Sequence, residues 1–206
     1  MTRTQGHAVL PDLSTLVHDV QRLDAAAYAR VLDATADGLR EVQGVRWIGQ
    51  YGHVAVPGVS DLDVVLVCDD EAYGAVTQAA AKATQATPES RYLFHHEMLV
   101  LPASCTPRLS AVHAVENLRT LWGATPWQPD TGTNSERAIL RQVLWGTSAL
   151  NNILHICAVH GASMRQMLIR LAVIAKTTSR NHALIGDNSA ALDVVRETDE
   201  IGRAHV

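Results

Sequence analysis

The chain has 206 residues, 47% of them hydrophobic, with 17 Lys and Arg against 21 Asp and Glu and a formal net charge of −4. That size accommodates one core with a helical appendage, and the acidic balance argues against a broad nucleic-acid footprint, which requires a basic surface. Cys68, Cys105 and Cys157 form no C-x-x-C pair, the first ten residues carry no leader-like apolar run, and no stretch is apolar for long enough to span a bilayer, so a soluble, cytoplasmic protein with reduced thiols and no membrane partner is expected.

Residues 1–11 read as a loose tail. From Asp12 or Ser14, either suited to cap a helix, the apolar positions Leu16, Val17, Val20, Leu23, Tyr28, Val31, Leu32, Leu39 and Val42 recur at helical spacing; they predict one or two amphipathic helices within residues 1–43. Gly44 punctuates, and Val45-Arg46-Trp47-Ile48 is predicted as a first strand. Pro57-Gly58 marks a turn that opens into a second strand, Asp61 to Val67, whose near-continuous apolar run is the pattern of a strand covered on both faces. Asp69-Asp70-Glu71 reads as the acidic first turn of an Ala-rich helix running to Ala86 rather than as a metal cluster. Pro88 is expected to end that helix, and Arg91 to Pro102 is predicted as another strand closed by its proline.

Residues 103–133, broken by Pro107, Gly123, Pro126, Pro129 and Gly132, read as a helix around Ala111 to Leu121 plus a loop. Beyond them the sequence is helical. Thr133-Asn134-Ser135-Glu136 and Ser163-Met164-Arg165-Gln166 have the form of capping boxes, Gly161 separates two helices, and a last helix is predicted from Ser189. The expected fold class is α/β, of the α+β kind. It comprises an N-terminal helical segment (1–43), a core with a small mixed sheet (44–102), a connection (103–133) and a C-terminal helical region (134–206).

Asp61 and Asp63 stand two apart at the start of a predicted strand, so their carboxylates project together and form half of a metal site. The plainer alternative is a solvated strand end. Counting by twos through the next predicted strand puts Leu93, His95, Glu97 and Leu99 on one face and His96 on the other. Glu97 either faces the same cleft as the two aspartates or faces water from an edge strand. Of the ten histidines, most read as structural or exposed; His95 is the exception, sharing a face with Glu97. Arg165, Lys176 and Arg180 fall on one side of the helix after Ser163, opposite a stripe of Met164, Met167, Leu168, Leu171 and Ile174. That side reads as an ordinary solvated face or as a basic edge over a cleft.

A strand, a glycine, a gap and then acid-apolar-acid on a second strand resembles the nucleotidyltransferase-fold superfamily shared by DNA polymerase beta and the antibiotic nucleotidyltransferases. Here Val45 to Ile48 would be the strand, Gly49-Gln50 stands where the family has Gly-Ser, Tyr51 to Ser60 fills the gap, and Asp61-Leu62-Asp63 is the acidic pair. A second register, Gly52-His53, shortens the gap. The resemblance implies a magnesium-dependent site with two ions, in which Asp61 and Asp63 hold the nucleotide-associated metal. In that arrangement Glu97 completes a carboxylate triad, helps hold the second ion and serves as the base. It also implies that Gly49 and Gln50 receive the triphosphate through backbone N–H groups at a helix start, with Ser60, Lys176 and Arg180 as further nucleotide contacts. The implied activity moves a nucleoside monophosphate from a nucleoside triphosphate such as ATP to a hydroxyl of a small-molecule acceptor. The family's serine is missing and the chain has only two lysines, Lys82 and Lys176. Both facts motivate a second expectation, a nucleotidyltransferase-fold module that has lost catalysis and serves as a binding or regulatory subunit. Modification of a protein or RNA end is a weaker third, nucleic acid being disfavoured by charge, and an assembly of like chains is left open.

Overall fold

A computed structural model describes residues 17–108, 118–126, 148, 151–153, 155 and 163–185, with side chains described as far as residue 176. The chain divides into two compact units, Gln21–Arg141 and Met1–Val20 with Gln142–His205.

The first unit starts with a cap. Asp24 has extended backbone and its Oδ1 accepts the Ala27 N–H at 2.8 Å, which starts α1 (Ala25–Arg40). Asp12 and Ser14 lie outside the described residues, and Val17 to Asp24 is not helical, so the predicted N-terminal helix is shorter than its apolar periodicity suggested. Gly44, at φ +90, makes the turn into β1 (Val45–Tyr51). A Cβ at Gly44 would collide with Ala72, so both the dihedral and the close approach require glycine. β1 pairs antiparallel with β2 (Asp63–Cys68), with Trp47 opposite Val67, Ile48 opposite Leu66, Gly49 opposite Val65, Gln50 opposite Val64 and Tyr51 opposite Asp63.

Directly opposed residues share a sheet face. One face carries Ile48, Val64, Leu66 and Val100, packed against Tyr28, Leu32 and Leu39 of α1 and Val76 and Ala80 of α2 (Tyr73–Thr84). The other carries a smaller cluster of Trp47, Val65 and Val67 with Tyr51, Leu101 and Leu118 beside it. β2 is therefore buried on both faces, as its unbroken apolar run predicted. Asp70 to Ala72 forms a tight 3-10 turn leading into α2, the helix start read from the acids. Asp69 pairs with Arg46, and Asp70 accepts the Ser104 N–H at 3.1 Å.

Two expectations are corrected. The first concerns the strand predicted from Arg91 to Pro102, whose first part is helical: α3 (Pro88–Leu93) starts at Thr87, whose hydroxyl accepts the Ser90 N–H at 3.0 Å. Pro88 occupies the first turn, where its missing N–H costs nothing, so it opens a helix instead of closing one. Only β3 (Leu99–Pro102) is strand. The second concerns the end of the helix predicted around Ala111 to Leu121, which is strand: β4 (Leu118–Gly123) pairs antiparallel with β1, so its backbone groups find partners on a neighbouring strand. The four-stranded mixed sheet has the order β3-β2-β1-β4, with β3 parallel to β2, and the fold is α+β.

In the second unit, α4 (Met164–Ile185) begins at the predicted capping box, where the Ser163 hydroxyl accepts the Gln166 N–H at 3.0 Å. Of the helix predicted from Thr133, the described residues 148, 151–153 and 155 are helical; its start, the stop at Gly161 and the helix predicted from Ser189 lie outside the described residues. No helix among the described residues is long and apolar enough to cross a membrane. Cys68 and Cys105 are free thiols, and burial, together with nearby Asp69 and Asp70, pushes the Cys68 thiol up. Cys157 is outside the described residues.

Leu66, fully buried where β2 meets the helices, tests this packing. Leu66→Ala is expected to cost about 2–5 kcal/mol, and Leu99→Ala, at a position 36% exposed, under about 1 kcal/mol. Urea unfolding midpoints at unchanged slope measure both.

Candidate metal centre

The acids are positioned by a turn that two tyrosines hold from either side. The Tyr28 hydroxyl accepts the Gly58 N–H at 2.9 Å and donates to the Ser60 carbonyl at 2.7 Å. The Tyr92 hydroxyl donates to the Gly58 carbonyl and accepts the Gln21 N–H at 2.8 Å. Gly58 has φ +88, and a Cβ there would collide with the Gln21 carbonyl oxygen, so no other residue type fits. The Ser60 Oγ accepts the N–H groups of Ala55 at 3.1 Å and Val56 at 3.0 Å. Leu62, 1% exposed, anchors the next step in the core, and its N–H donates to the Leu93 carbonyl at 2.9 Å. Asp61 and Asp63, flanking this anchor, present their carboxylates together.

The third member of the cluster is His96. Its Nε2 lies 2.6 Å from Asp63 Oδ1 and 3.8 Å from Asp61 Oδ2. Ligand atoms of Asp61, Asp63 and His96 all lie within 4.8 Å of one another. Adjacent ligands around an ion with bonds of roughly 2.1 Å stand about 3 Å apart, so these three can close on one ion with small adjustments. The His96 Nδ1 is 2.9 Å from the Glu97 carbonyl oxygen. A carbonyl only accepts, so Nδ1 carries a proton and Nε2 is the atom offered to the carboxylates. An imidazole held by a carbonyl on one nitrogen, with its other nitrogen directed at the site, is how metal-ligating histidines are ordinarily fixed.

Both His96 ring nitrogens face oxygen acceptors, which favours the imidazolium. The His96 pKa is raised from 6.5 to about 9, chiefly by the hydrogen bond to Asp63 and against the cost of burial, with smaller help from the Glu97 carbonyl and the charges of Asp63 and Asp61. An ion bound at Nε2 takes the place of this proton.

The other residues singled out in the sequence are distributed differently. Glu97 lies in the exposed loop before β3, not on a strand. Alternation does not govern that loop, so its neighbour His96 meets the aspartates instead. His95 is half-buried in the same loop. Gly49 and Gln50 sit inside β1, paired with Val65 and Val64 on one side and Thr120 and Arg119 on the other. The expected helix start is absent there, because these residues belong to a central strand. A Cβ at Gly49 would collide with the Trp47 indole; this glycine makes room for a ring, not for a phosphate. Gln50 faces away from Asp63, is 8% exposed, and accepts from Arg119 Nη2 at 2.7 Å. That contact lines a pocket of about 370 Å³ on the helical face of the sheet, with Tyr28, Leu32, Leu62 and His53. Ser60 spends its Oγ on its own loop. Arg165 is 4% exposed and its N–H donates to Asp19 at 3.0 Å, so it is no part of a solvated basic edge. Lys176 is exposed on α4, and Arg180 lies on α4 beyond the described side chains; both belong to the second unit.

No family model and no curated protein matches the chain.

Two predictions follow from this geometry. Tyr28→Phe removes both of the hydroxyl's hydrogen bonds while keeping the ring, and is expected to cost about 1–3 kcal/mol in urea unfolding. His96 has a folded pKa above its unfolded one, so its contribution to stability is fully present below pH 6.5 and is lost as pH rises through about 9. Melting temperatures of the chelator-treated protein should fall across that window, and His96→Ala should flatten the fall.

Proposed function

We propose that this chain is a divalent-cation-dependent nucleotidyltransferase that moves a nucleoside monophosphate from a nucleoside triphosphate to a hydroxyl of a small acceptor. The observation that supports it is the convergence of Asp61, Asp63 and His96 within 4.8 Å at the N-terminal end of β2, directly after a turn anchored by Tyr28 and Tyr92. A divalent ion held there neutralises phosphate charge and polarises the transferring phosphoryl group. Asp61 and Asp63 supply anionic oxygens on rigid backbone, so little reorganisation accompanies binding. His96 offers its Nε2 from the neighbouring loop as a third ligand.

A second reading is favoured by one observation. The Gly49-Gln50 segment is built into β1 and hydrogen-bonded to both neighbours, so the Gly-Ser position offers no array of unused N–H groups to a triphosphate. A module that keeps a metal centre but has lost transfer would look the same.

Calorimetry with each of the four nucleoside triphosphates, with and without divalent cation, separates the two. Transferase function predicts cation-dependent nucleotide binding that Asp61→Asn and Asp63→Asn weaken by more than about tenfold, with cooperative unfolding retained. Cation binding without any nucleotide binding would favour the lapsed module, and no binding of either would sink both.

A further inference from the structure

We infer that His96 makes this centre selective for a divalent transition-metal ion that favours imidazole, of the zinc class, over magnesium. The inference rests on the proposed metal-dependent reading and specifies which ion the site is built for.

Magnesium takes oxygen ligands in a near-ideal octahedron, keeps several of its waters and is held by one or two carboxylates. An imidazole nitrogen adds little for such an ion but suits zinc, iron and their neighbours. Here the nitrogen is not incidental. Nε2 lies nearest to Asp63, at 2.6 Å, and is also within reach of Asp61, at 3.8 Å. Its orientation is fixed from behind, since Nδ1 lies 2.9 Å from the Glu97 carbonyl oxygen. The backbone that carries it is fixed as well: Leu93, three residues before it, accepts the Leu62 N–H, and Leu99, three residues after it, pairs with Val65. A two-oxygen, one-nitrogen set on one side of an ion leaves the remaining positions open to water or a ligand, the arrangement of catalytic zinc sites with three protein ligands. The carboxylates are partly withdrawn from water, with side chains 18% and 33% exposed, and the His96 side chain is 50% exposed. An ion can therefore enter past the imidazole and be held by the acids.

The alternative is that His96 is simply the cationic partner of Asp63, standing where an ion would otherwise stand. Metal titration separates the two. The full chain, stripped with chelator, would be titrated with Mn²⁺ while the free-ion electron paramagnetic resonance signal is followed, and Zn²⁺ and Mg²⁺ would be added in competition. The expected result is Zn²⁺ displacing Mn²⁺ and binding at least about tenfold tighter than Mg²⁺, with nitrogen coupling in the pulsed spectrum of bound Mn²⁺. His96→Ala should abolish the coupling and lower the Zn²⁺-to-Mg²⁺ affinity ratio by at least about tenfold. His96→Asp, which restores an oxygen donor, should narrow that ratio while ions still bind. Bound Mn²⁺ without nitrogen coupling, or a ratio unchanged in both variants, overturns the inference. Tight Asp61-dependent binding of Mg²⁺ in preference to Zn²⁺ overturns it alone and leaves the transferase reading standing. Failure of every ion to bind overturns both.

Discussion

The parallel pairing of β3 with β2 is the constraint on which the candidate site depends. Val65 stands opposite Leu99 and the two strands run in the same direction, so their N-terminal ends lie side by side. The residues just before each strand are then neighbours in space. Asp61 and Asp63 precede Val65, His96 precedes Leu99, and the cluster follows from that alignment. Parallel neighbours need a crossover connection. It is supplied by α2 and α3, whose buried Val76, Ala80 and Leu93 join the core under β2. A centre assembled from two such loops needs the whole core in register before its third ligand arrives.

The turn before Asp61 shows how hydrogen bonds from side chains hold a short loop in one conformation. Two tyrosine hydroxyls, from α1 and α3, reach the backbone of Gly58 and Ser60, and the Ser60 side chain closes the loop on itself. Each such hydrogen bond contributes about 1 kcal/mol net. Their greater effect is to remove conformations, so the two carboxylates are held close together although like charges repel. The raised pKa of His96 is the counterpart of that repulsion: without an ion, a proton supplies part of the positive charge the acids call for.

The sheet's two faces divide the chemistry. Asp63 shares its face with Tyr51 and Val65, whereas Gln50 shares the opposite face with Val64 and turns to Arg119. The position expected to bind phosphate therefore helps line a pocket on the helical side instead. The space beside Gly49 is taken by the Trp47 indole, whose Nε1 donates to Thr120 at 3.1 Å. A triphosphate bound near the aspartates must find its donors elsewhere than in β1.

The sequence by itself determined the elements whose signals are local. The capping box at Ser163, the doubly covered strand, the acidic helix start at Asp70 and the Asp61-Leu62-Asp63 pair all depend on residues a few positions apart, and each is present, although the strand begins at Asp63 and Asp61 precedes it. What depended on distant partners was not legible. Leu118 to Gly123 reads as a helix end until β1 is present to take up its backbone groups. The stretch from Arg91 to Pro102 alternates well enough for a strand, but the Thr87-Pro88 cap and the burial of Leu93 and Phe94 make its first part helical. That change of backbone period exchanged Glu97 for His96. Side-chain direction is fixed by the conformation of the residues just before it, and that conformation was decided by packing in the tertiary structure.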